Sequence, residues 1–312
     1  MKRALVTGSA GFVGRHMYRA LQDRDFDVVG IDIRDGADAL DYFDRGEERF
    51  DIVVHCAAVV GGRTMIDGAP LRLAVEDLML DASMFRWAMR TRPRRVVAFS
   101  SSAAYPTSFQ DADHHVLLEE RHLGLDGWIG APDATYGWVK LTLERLAAEA
   151  NAEGIRTFVF RPFSGYGGDQ DLDYPFPAIV NRAFRFDPGI HVRPDDAVPC
   201  FQVWGHPEST RDWVHIDDVV ACVFAHLDAD VVGPVNICTG IATSFQRLAS
   251  LALDAAGHYG IPILGDRAKP MGVFHRVGDP TQMRQVYTPR VFIEEGVDRA
   301  MRGLVDRAMR PA

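Results

Sequence analysis

Three glycines, Gly8, Gly11 and Gly14, stand between a short apolar run and a segment with helical periodicity, and this turn constrains the fold more than any other feature of the chain. Gly8 allows a tight turn out of a strand, Gly11 lets the backbone approach a diphosphate at a helix N-terminus, and Gly14 lets the helix pack closely on a sheet. The spacing predicts a dinucleotide site, which Phe12 and Val13 at the start of the helix are expected to share.

The first half of the chain alternates short apolar runs with segments of helical periodicity. The runs are apolar throughout, as strands are when helices cover both faces of a sheet. The alternation therefore predicts an α/β fold with a doubly wound parallel sheet of the Rossmann type. The predicted strands are residues 3–7, 27–33, 50–57, 95–101, 155–161 and 234–238, and the predicted helices are residues 12–24, 71–91, 134–153 and 218–227.

The pattern changes after Pro162. Residues 165–210 are rich in glycine, proline and aspartate, and residues 248–312 are expected to form shorter helical and irregular pieces. Residues 214–240, between them, return to a helix followed by an apolar strand. We therefore predict a dinucleotide-binding domain of residues 1–163 plus 214–240 and a smaller, discontinuous substrate-binding domain of residues 164–213 plus 241–312.

Composition excludes several classes of protein. A net charge of −9 argues against a nucleic-acid partner. No segment approaches the ~20 apolar residues that span a membrane, and the first predicted strand leaves no room for a signal peptide. His114 and His115 have no metal-ligand spacing around them, so solvated loop histidines and no metal are predicted. The four cysteines are widely spaced, so we interpret them as buried thiols in a cytoplasmic protein. They are Cys56, Cys200, Cys222 and Cys238.

A carboxylate follows the second predicted strand. Asp32, 24 residues after Gly8, can accept both adenosine ribose hydroxyls and would repel the 2′-phosphate of NADP, so NAD is the predicted cofactor. Arg34 could bind that phosphate instead, but a solvated loop arginine is the favoured interpretation. The other residues predicted to contact the cofactor lie near strand ends and are Ile33, Asp38, Ala39, Ala57, Ala58 and Pro162.

Tyr136 and Lys140 lie four residues apart in a predicted helix, so they share one face. The chain has only three lysines among 34 basic residues, yet a lysine stands here. A lysine cation favours the phenolate form of a neighbouring tyrosine, which can then accept a proton. Both residues are also expected to contact the cofactor, and the serine run 100–102, which follows a strand, is expected to supply a hydroxyl donor.

The glycine turn, the carboxylate after the second strand, the small residues after the third, the serine run and Tyr136-x-x-x-Lys140 occur in this order, followed by Arg161-Pro162. Together they resemble the extended short-chain dehydrogenase/reductase family, specifically its nucleotide-sugar epimerases and reductases, over nearly the whole chain. The resemblance implies that Ser101, Tyr136 and Lys140 form a catalytic triad.

The same resemblance concerns the substrate. Ser102 is the alternative catalytic serine. Residues 203–218 look like the hairpin that holds the substrate diphosphate in this family, which implies Arg211 as a phosphate ligand and Arg276 as the alternative. Residues 57–62 and 101–106 resemble the GDP-sugar branch, which contains GDP-mannose 3,5-epimerases and GDP-fucose synthases, and this adds Gly62 and Ser102 to the expected substrate site. The expected substrate is a GDP- or UDP-linked sugar.

Two features of that branch are missing. Its enzymes use a cysteine two residues after the active serine, where this chain has Ala103, and a His or Lys in a loop that here, over residues 167–177, contains neither. The Asp-Glu pair of sugar dehydratases is also absent after the serine run. The remaining machinery predicts redox chemistry at one sugar carbon, most simply C4.

Three functions remain open at this point. The leading hypothesis is an NAD-dependent nucleotide-sugar epimerase that acts at C4 through a transient 4-keto sugar. An NAD(P)H-dependent 4-ketoreductase needs the same triad and is the alternative. A non-catalytic NAD(H)-binding regulatory protein is a remote third, because such relatives usually lack the Tyr or the Lys.

The two long predicted helices carry more apolar residues than one sheet-facing stripe needs. Related enzymes pair these helices into a four-helix bundle, so a homodimer is predicted, although the same residues could simply face their own sheet. The residues concerned are Met79, Met84, Phe85, Trp87, Leu141, Leu143 and Leu146.

Overall fold

The structure is a computed structural model, and it describes residues 2–59, 61, 63–124, 127, 130–190 and 198–309. Along the chain the elements are β1 (Arg3–Thr7), α1 (Phe12–Gln22), β2 (Asp27–Ile31), α2 (Ala39–Arg45), β3 (Ile52–His55), α3 (Arg63–Gly68), α4 (Pro70–Thr91), β4 (Val96–Phe99), α5 (Ala134–Ala152), β5 (Thr157–Pro162), β6 (Ser164–Tyr166), α6 (Pro175–Phe184), β7 (Phe201–Trp204), β8 (Thr210–Arg211), β9 (Trp213–His215), α7 (Ile216–Ala229), β10 (Pro234–Ile237), β11 (Thr243–Ser244), α8 (Phe245–Ala255), β12 (Ile263–Asp266), β13 (His275–Arg276), α9 (Thr281–Arg284) and α10 (Ile293–Met309).

Six strands form one parallel sheet in the order β2-β1-β3-β4-β5-β10. Alternate residues of each strand face opposite sides, so Leu5 and Val53 pack with α2, α4 and α5, whereas Val6 and Val54 pack with α1 and α7. Both faces are covered, which explains the continuous apolar runs and confirms the predicted doubly wound parallel fold. The strand order reverses between β1 and β3, and such a switch point opens a crevice at the carboxyl ends of the strands.

Several predicted boundaries change for local reasons. The second strand ends at Ile31, because the Asp32 side chain accepts the N–H of Arg34 and caps a short 3₁₀ turn. Helix α2 is absent from the prediction. The expectation of short irregular pieces near the C-terminus is wrong for α10, a helix of 17 residues that buries Ile293, Val297 and Met301 on one face.

A second hydrophobic core lies outside the sheet and joins β6, α6, β7, α8 and α10. Its members include Tyr166, Phe176, Trp213 and Leu248, all of them buried. The predicted division into two domains stays a prediction. No helix in the described part of the chain is long and apolar enough to cross a membrane.

The cysteines are free thiols, and three of them are buried: Cys200, Cys222 and Cys238. Cys56 is only half-buried, because it follows β3 at the edge of the crevice. Across the described ranges no group of side chains could hold a metal ion.

Candidate active site

A cavity of about 810 Å³ lies at the carboxyl ends of the sheet strands. Gly62 lies outside the described residues, and every other residue predicted for the site lines this cavity. These residues are Gly8, Gly11, Phe12, Val13, Gly14, Asp32, Ile33, Asp38, Ala39, Ala57, Ala58, Ser101, Ser102, Tyr136, Lys140, Pro162, Arg211 and Arg276.

The glycine turn has the shape of a diphosphate cradle. Gly8 has a φ of +67°, and a Cβ there would lie 2.6 Å from the backbone of Cys56. A Cβ on Gly14 would overlap the Gly8 carbonyl oxygen, so the first turn of α1 packs directly on the end of β1. Gly11 caps α1 without a side chain, which leaves the N–H groups of the first turn facing the cavity edge. The turn therefore fits a dinucleotide diphosphate.

The Asp32 carboxylate is partly engaged by the backbone. It accepts the N–H of Ala10 at 2.9 Å and the N–H of Arg34 at 2.8 Å. A carboxylate has about four acceptor sites, so two remain for ribose hydroxyls. The Arg34 guanidinium points back toward the Ala10 carbonyl at 3.4 Å and Asp171 at 3.5 Å. Asp32 thus organises the glycine turn as well as facing the cavity, a contact that sequence spacing does not reveal.

An acidic strap, residues 169–174, borders the same cavity, and Gln170, Asp171, Asp173 and Tyr174 line it. Asp169 ties this strap to α1, because its Oδ2 atom contacts Arg15 Nε at 3.0 Å and His16 Nε2 at 2.9 Å. Burial raises the pKa of Asp169, but the bonds from His16 and Arg15 outweigh burial and hold that pKa below its usual value. The Asp169 carboxylate is therefore an anion that ties the strap to α1, the helix that follows the glycine turn.

Helix α5 presents the predicted acid/base pair. Tyr136 lies in its first turn, and Lys140 Nζ is 5.5 Å from the centroid of the Tyr136 ring. Lys140 is 5% exposed. Burial lowers the pKa of Lys140, but interactions with Tyr136, Asp81 and Asp77 outweigh burial and raise that pKa above its usual value. Lys140 is therefore an ammonium ion at neutral pH.

The three serines have different surroundings. Ser100 Oγ donates a hydrogen bond to Glu144 on α5, which makes it a structural contact. Ser101 Oγ accepts the N–H of Ala103 at 3.1 Å, so its own hydrogen stays free to donate toward the cavity. Ser102 is buried and also reaches the cavity wall, so it stays the alternative. Gly137 permits this arrangement, because a Cβ there would lie 2.4 Å from the Ala103 carbonyl oxygen.

A cluster of arginines lies at the other end of the cavity. Arg211 and Arg276 are direct neighbours in the β8–β13 pairing, so the structure brings together two residues that the sequence offered as alternatives. Arg276 and Arg63 each contact Asp133 at 2.8 Å. Burial, together with Arg276, lowers the pKa of Arg211 to about 9. Arg63 also pairs with Asp67 at 2.8 Å, so three guanidinium groups share two carboxylates and the cluster keeps an excess of positive charge suited to a diphosphate.

Neither Arg63 nor Asp133 was predicted for the site. Asp133 had a signal, because it directly precedes the predicted helix at its N-cap position. No sequence feature pointed to Arg63 as a site residue, apart from its position after the third strand. The predicted phosphate hairpin is wrong, since β7 pairs with β12 whereas β8 pairs with β11 and β13.

A parallel sheet with a glycine turn at its switch point and a Tyr/Lys pair beside it defines a dinucleotide-dependent enzyme. Residues 4–238 match the NAD dependent epimerase/dehydratase family, and the chain belongs to that family. The predicted family, the prediction of an enzyme and the predicted NAD cofactor are thereby confirmed.

Relatives and solved structures agree with this membership. GDP-L-colitose synthase of Yersinia pseudotuberculosis is 21% identical over 315 residues, which cover 95% of this chain and 96% of that protein. UDP-glucose 4-epimerase of Thermotoga maritima has a TM-score of 0.79 at 21% identity, over 98% of this chain and 99% of that chain. A GDP-6-OMe-4-keto-L-xylo-heptose reductase of C. jejuni has a TM-score of 0.80 at 15% identity, over 98% of both chains.

Proposed function

We propose that this chain is an NAD-dependent nucleotide-sugar epimerase that acts at C4. The observation that carries the proposal is one cavity whose wall holds the glycine turn, the Tyr136–Lys140 pair and the Arg211–Arg276 pair. The first can hold a dinucleotide, the second can move a proton, and the third can hold a sugar-linked diphosphate. The relatives include both epimerases and reductases of nucleotide sugars, which supports this class.

In the proposed reaction Tyr136 Oη accepts the proton of the C4 hydroxyl and later returns a proton to the same oxygen. The Lys140 ammonium stabilises the negative charge on Oη while the proton is away. Ser101 Oγ donates a hydrogen bond to the C4 oxygen throughout. The chemistry supplied by NAD when bound is reversible hydride transfer at C4. The 4-keto sugar rotates in the site before hydride and proton return, so hydride adds to the opposite face of C4 and the configuration there is inverted.

The alternative is a 4-ketoreductase that consumes NAD(P)H. The anchored acidic strap favours the epimerase, because an epimerase regenerates its cofactor in place and has no need to release it. The test is the cofactor content of the purified protein, followed by absorbance near 340 nm when nucleotide sugars are added. Retained NAD with conversion of the sugar and no lasting absorbance change supports the epimerase, whereas steady consumption of NAD(P)H supports the reductase. No conversion and no reduction would identify a binding protein.

We expect Arg211→Lys to weaken binding of a nucleoside diphosphate severalfold or more. A guanidinium grips two phosphate oxygens with paired donors, which a lysine cannot reproduce, and burial would neutralise a lysine more readily. Calorimetric titration with GDP and UDP alone isolates this contact from the unknown sugar. NAD affinity should not change, and the exposed Arg247→Lys serves as the control. Equal affinities would show that Arg211 is structural and direct the search to Arg276.

We expect the wild type to prefer NAD over NADP, and Asp32→Ala to narrow that preference. The carboxylate repels a 2′-phosphate, and its removal also frees the Ala10 and Arg34 N–H groups. Asp32→Asn keeps an acceptor there, so it separates loss of charge from loss of support for the turn. Dissociation constants for both dinucleotides measure the effect. Tighter binding of NADP by the wild type would mean that Arg34 governs selectivity.

We also propose a cytoplasmic homodimer, through the two helices that the sequence suggested, α4 and α5, although with other residues than most of those expected. Leu71, Val75 and Met79 form an exposed stripe on α4, and Trp138 is exposed on the adjoining α5. Val75→Asp with Met79→Asp should convert a dimer into a monomer in light scattering, whereas Tyr259→Asp, elsewhere on the surface, should not. A monomeric wild type would refute the dimer. The residues behind the original prediction mostly pack in the chain's own core: Met84, Phe85, Trp87, Leu141, Leu143 and Leu146.

A further inference from the structure

Buried carboxylates that the proposed reaction does not use lie beneath the catalytic pair. Asp77 and Asp81 are one turn apart on α4 and are 1% and 3% exposed. One oxygen of Asp77 accepts the N–H of Val59, and one oxygen of Asp81 is 3.2 Å from His55 Nε2. The second oxygen of each carboxylate is buried without a hydrogen-bond partner in the part of the chain that the structure describes.

These carboxylates differ from one that supports the fold. Asp218 is equally buried, and it accepts hydrogen bonds from the Tyr287 hydroxyl and the N–H groups of Arg290 and Val291. A buried acceptor without a partner costs free energy, so two such oxygens side by side weaken the fold. A neutral, apolar residue of the same shape at either position would make the fold more stable. Their presence next to the site therefore indicates a function.

Lys140 is the cation that these carboxylates face. Within the described ranges Lys140 Nζ forms no hydrogen bond or ion pair, so its charge depends on neighbours farther away. The titratable groups that act on it are Tyr136 on its own helix, Asp77 and Asp81 on α4, and Cys56 after β3. Burial raises the pKa of the Cys56 thiol, so that thiol is neutral. The groups that raise the pKa of Lys140 are therefore Tyr136, which has the largest effect, and Asp81 and Asp77 on α4.

His55 links Asp81 to the end of β1. Thr7 Oγ1 accepts the N–H of Ala57 and lies 2.8 Å from His55 Nδ1. The other ring nitrogen, Nε2, lies 3.2 Å from Asp81 Oδ1, so a hydrogen on Nε2 would be donated to that carboxylate. Burial raises the pKa of Asp77 to about 6, so Asp77 is an anion above that pH.

We propose that Asp77 and Asp81 are positioning residues that keep Lys140 as an ammonium ion beside Tyr136. The inference rests on the proposed function, in which Lys140 acts as a cation. It adds a role for α4, whose carboxylates offset the burial that would otherwise neutralise the lysine.

The three lysines of the chain allow a direct test. In protein labelled with ¹³C-lysine, the Lys140 resonance is assigned by its loss in Lys140→Met and titrated without any substrate. We expect wild-type Lys140 to titrate above the ordinary lysine value of about 10.4. In Asp77→Asn/Asp81→Asn it should titrate at least about one unit lower than in the wild type. Each single variant apportions the effect, and either one suffices if the double variant does not fold.

Two further measurements separate positioning from a structural role. The Asn variants should lose less stability than Asp218→Asn, because each keeps the one oxygen that makes a contact, whereas Asp218→Asn removes an acceptor that is in use. In turnover assays the alkaline limb of the pH profile should move to lower pH, since removing negative charge releases the Lys140 proton sooner. An unmoved Lys140 titration in a folded variant, or a loss of stability like that of Asp218→Asn, would overturn the proposal. Because the titration needs no reaction, it stands even if no epimerase activity is found.

Discussion

Replacement of Tyr136 by phenylalanine is expected to lower turnover by about two orders of magnitude or more, the usual loss when a general acid/base is removed. The ring that Lys140 faces is kept and only Oη is lost, so folding and NAD binding should be unchanged. The measurement is steady-state conversion of a nucleotide sugar that the wild type accepts, with the NAD content of both proteins as the control. Turnover close to that of the wild type would exclude Tyr136 as the acid/base.

Tyr174 provides a matched comparison, because it is a second phenol on the wall of the same cavity. Burial raises the pKa of Tyr174, so it stays protonated at neutral pH and is a poor base. Chemistry at C4 alone needs one acid/base, and Tyr174→Phe should therefore cost less than about tenfold. A loss as large as that of Tyr136→Phe would mean that the strap supplies a second acid/base and that more than one carbon reacts.

Most of the site could be predicted from sequence because its parts lie at strand ends. The glycine turn follows β1, Asp32 follows β2, the small residues follow β3, and the serines follow β4. In a parallel sheet these ends meet along one edge, so recognising the strands is enough to bring their flanking residues together. Predicting that Tyr136 and Lys140 lie together needs only the period of a helix, which places residues four apart on one face. None of these inferences requires knowledge of a particular long-range contact.

The arginine cluster and the carboxylates of α4 could not be predicted in this way. Arg211 and Arg276 lie in strands of two residues each, whose pairing depends on hydrogen bonds between distant segments. Arg63 and Asp133 meet only because α3 and α5 pack side by side. An aspartate on a helix is ordinarily solvated, so the burial of Asp77 between α4 and the sheet has no sequence signal.

The Arg161-Pro162 motif of the sequence also acquires a role from the structure. Arg161 forms a two-pronged ion pair with Glu144, with Nε at 2.8 Å and Nη2 at 2.6 Å from the carboxylate oxygens. Both residues are almost fully buried, and the same carboxylate accepts the Ser100 hydroxyl. Burial lowers the pKa of Arg161, but Glu144 outweighs burial and holds it above its usual value. Glu144 lies one turn after Lys140, so this pair fixes α5 to the ends of β4 and β5.

We expect Glu144→Gln to lower the free energy of unfolding by about 3–5 kcal/mol, the usual cost of leaving a buried charge without its partner. The amide keeps the shape of the side chain but not the charge, and only one of its two ends can accept a hydrogen bond from Arg161. Arg161 would then lose its ionic partner and one of its two bonds to residue 144, and would keep its bond from Nη1 to the Tyr105 hydroxyl at 3.0 Å and a weak contact to a backbone carbonyl. Urea unfolding of the wild type and the variant measures the difference. Glu149→Gln is the control, because Glu149 pairs with Arg145 on the exposed side of the same helix and should cost at most about 1 kcal/mol.

The double variant Glu144→Leu/Arg161→Met tests whether the ion pair stabilises the fold, or whether each charge is needed only because the other is buried. Two apolar residues of similar volume remove both charges at once, and buried ion pairs replaced in this way often lose little stability. We expect the double variant to be more stable than Glu144→Gln. It also frees Ser100 and loosens α5 beneath Lys140, so turnover should fall although the protein stays folded. Recovery of stability without recovery of turnover would show that the ion pair is kept to place the catalytic helix, whereas recovery of both would leave it no role in the site.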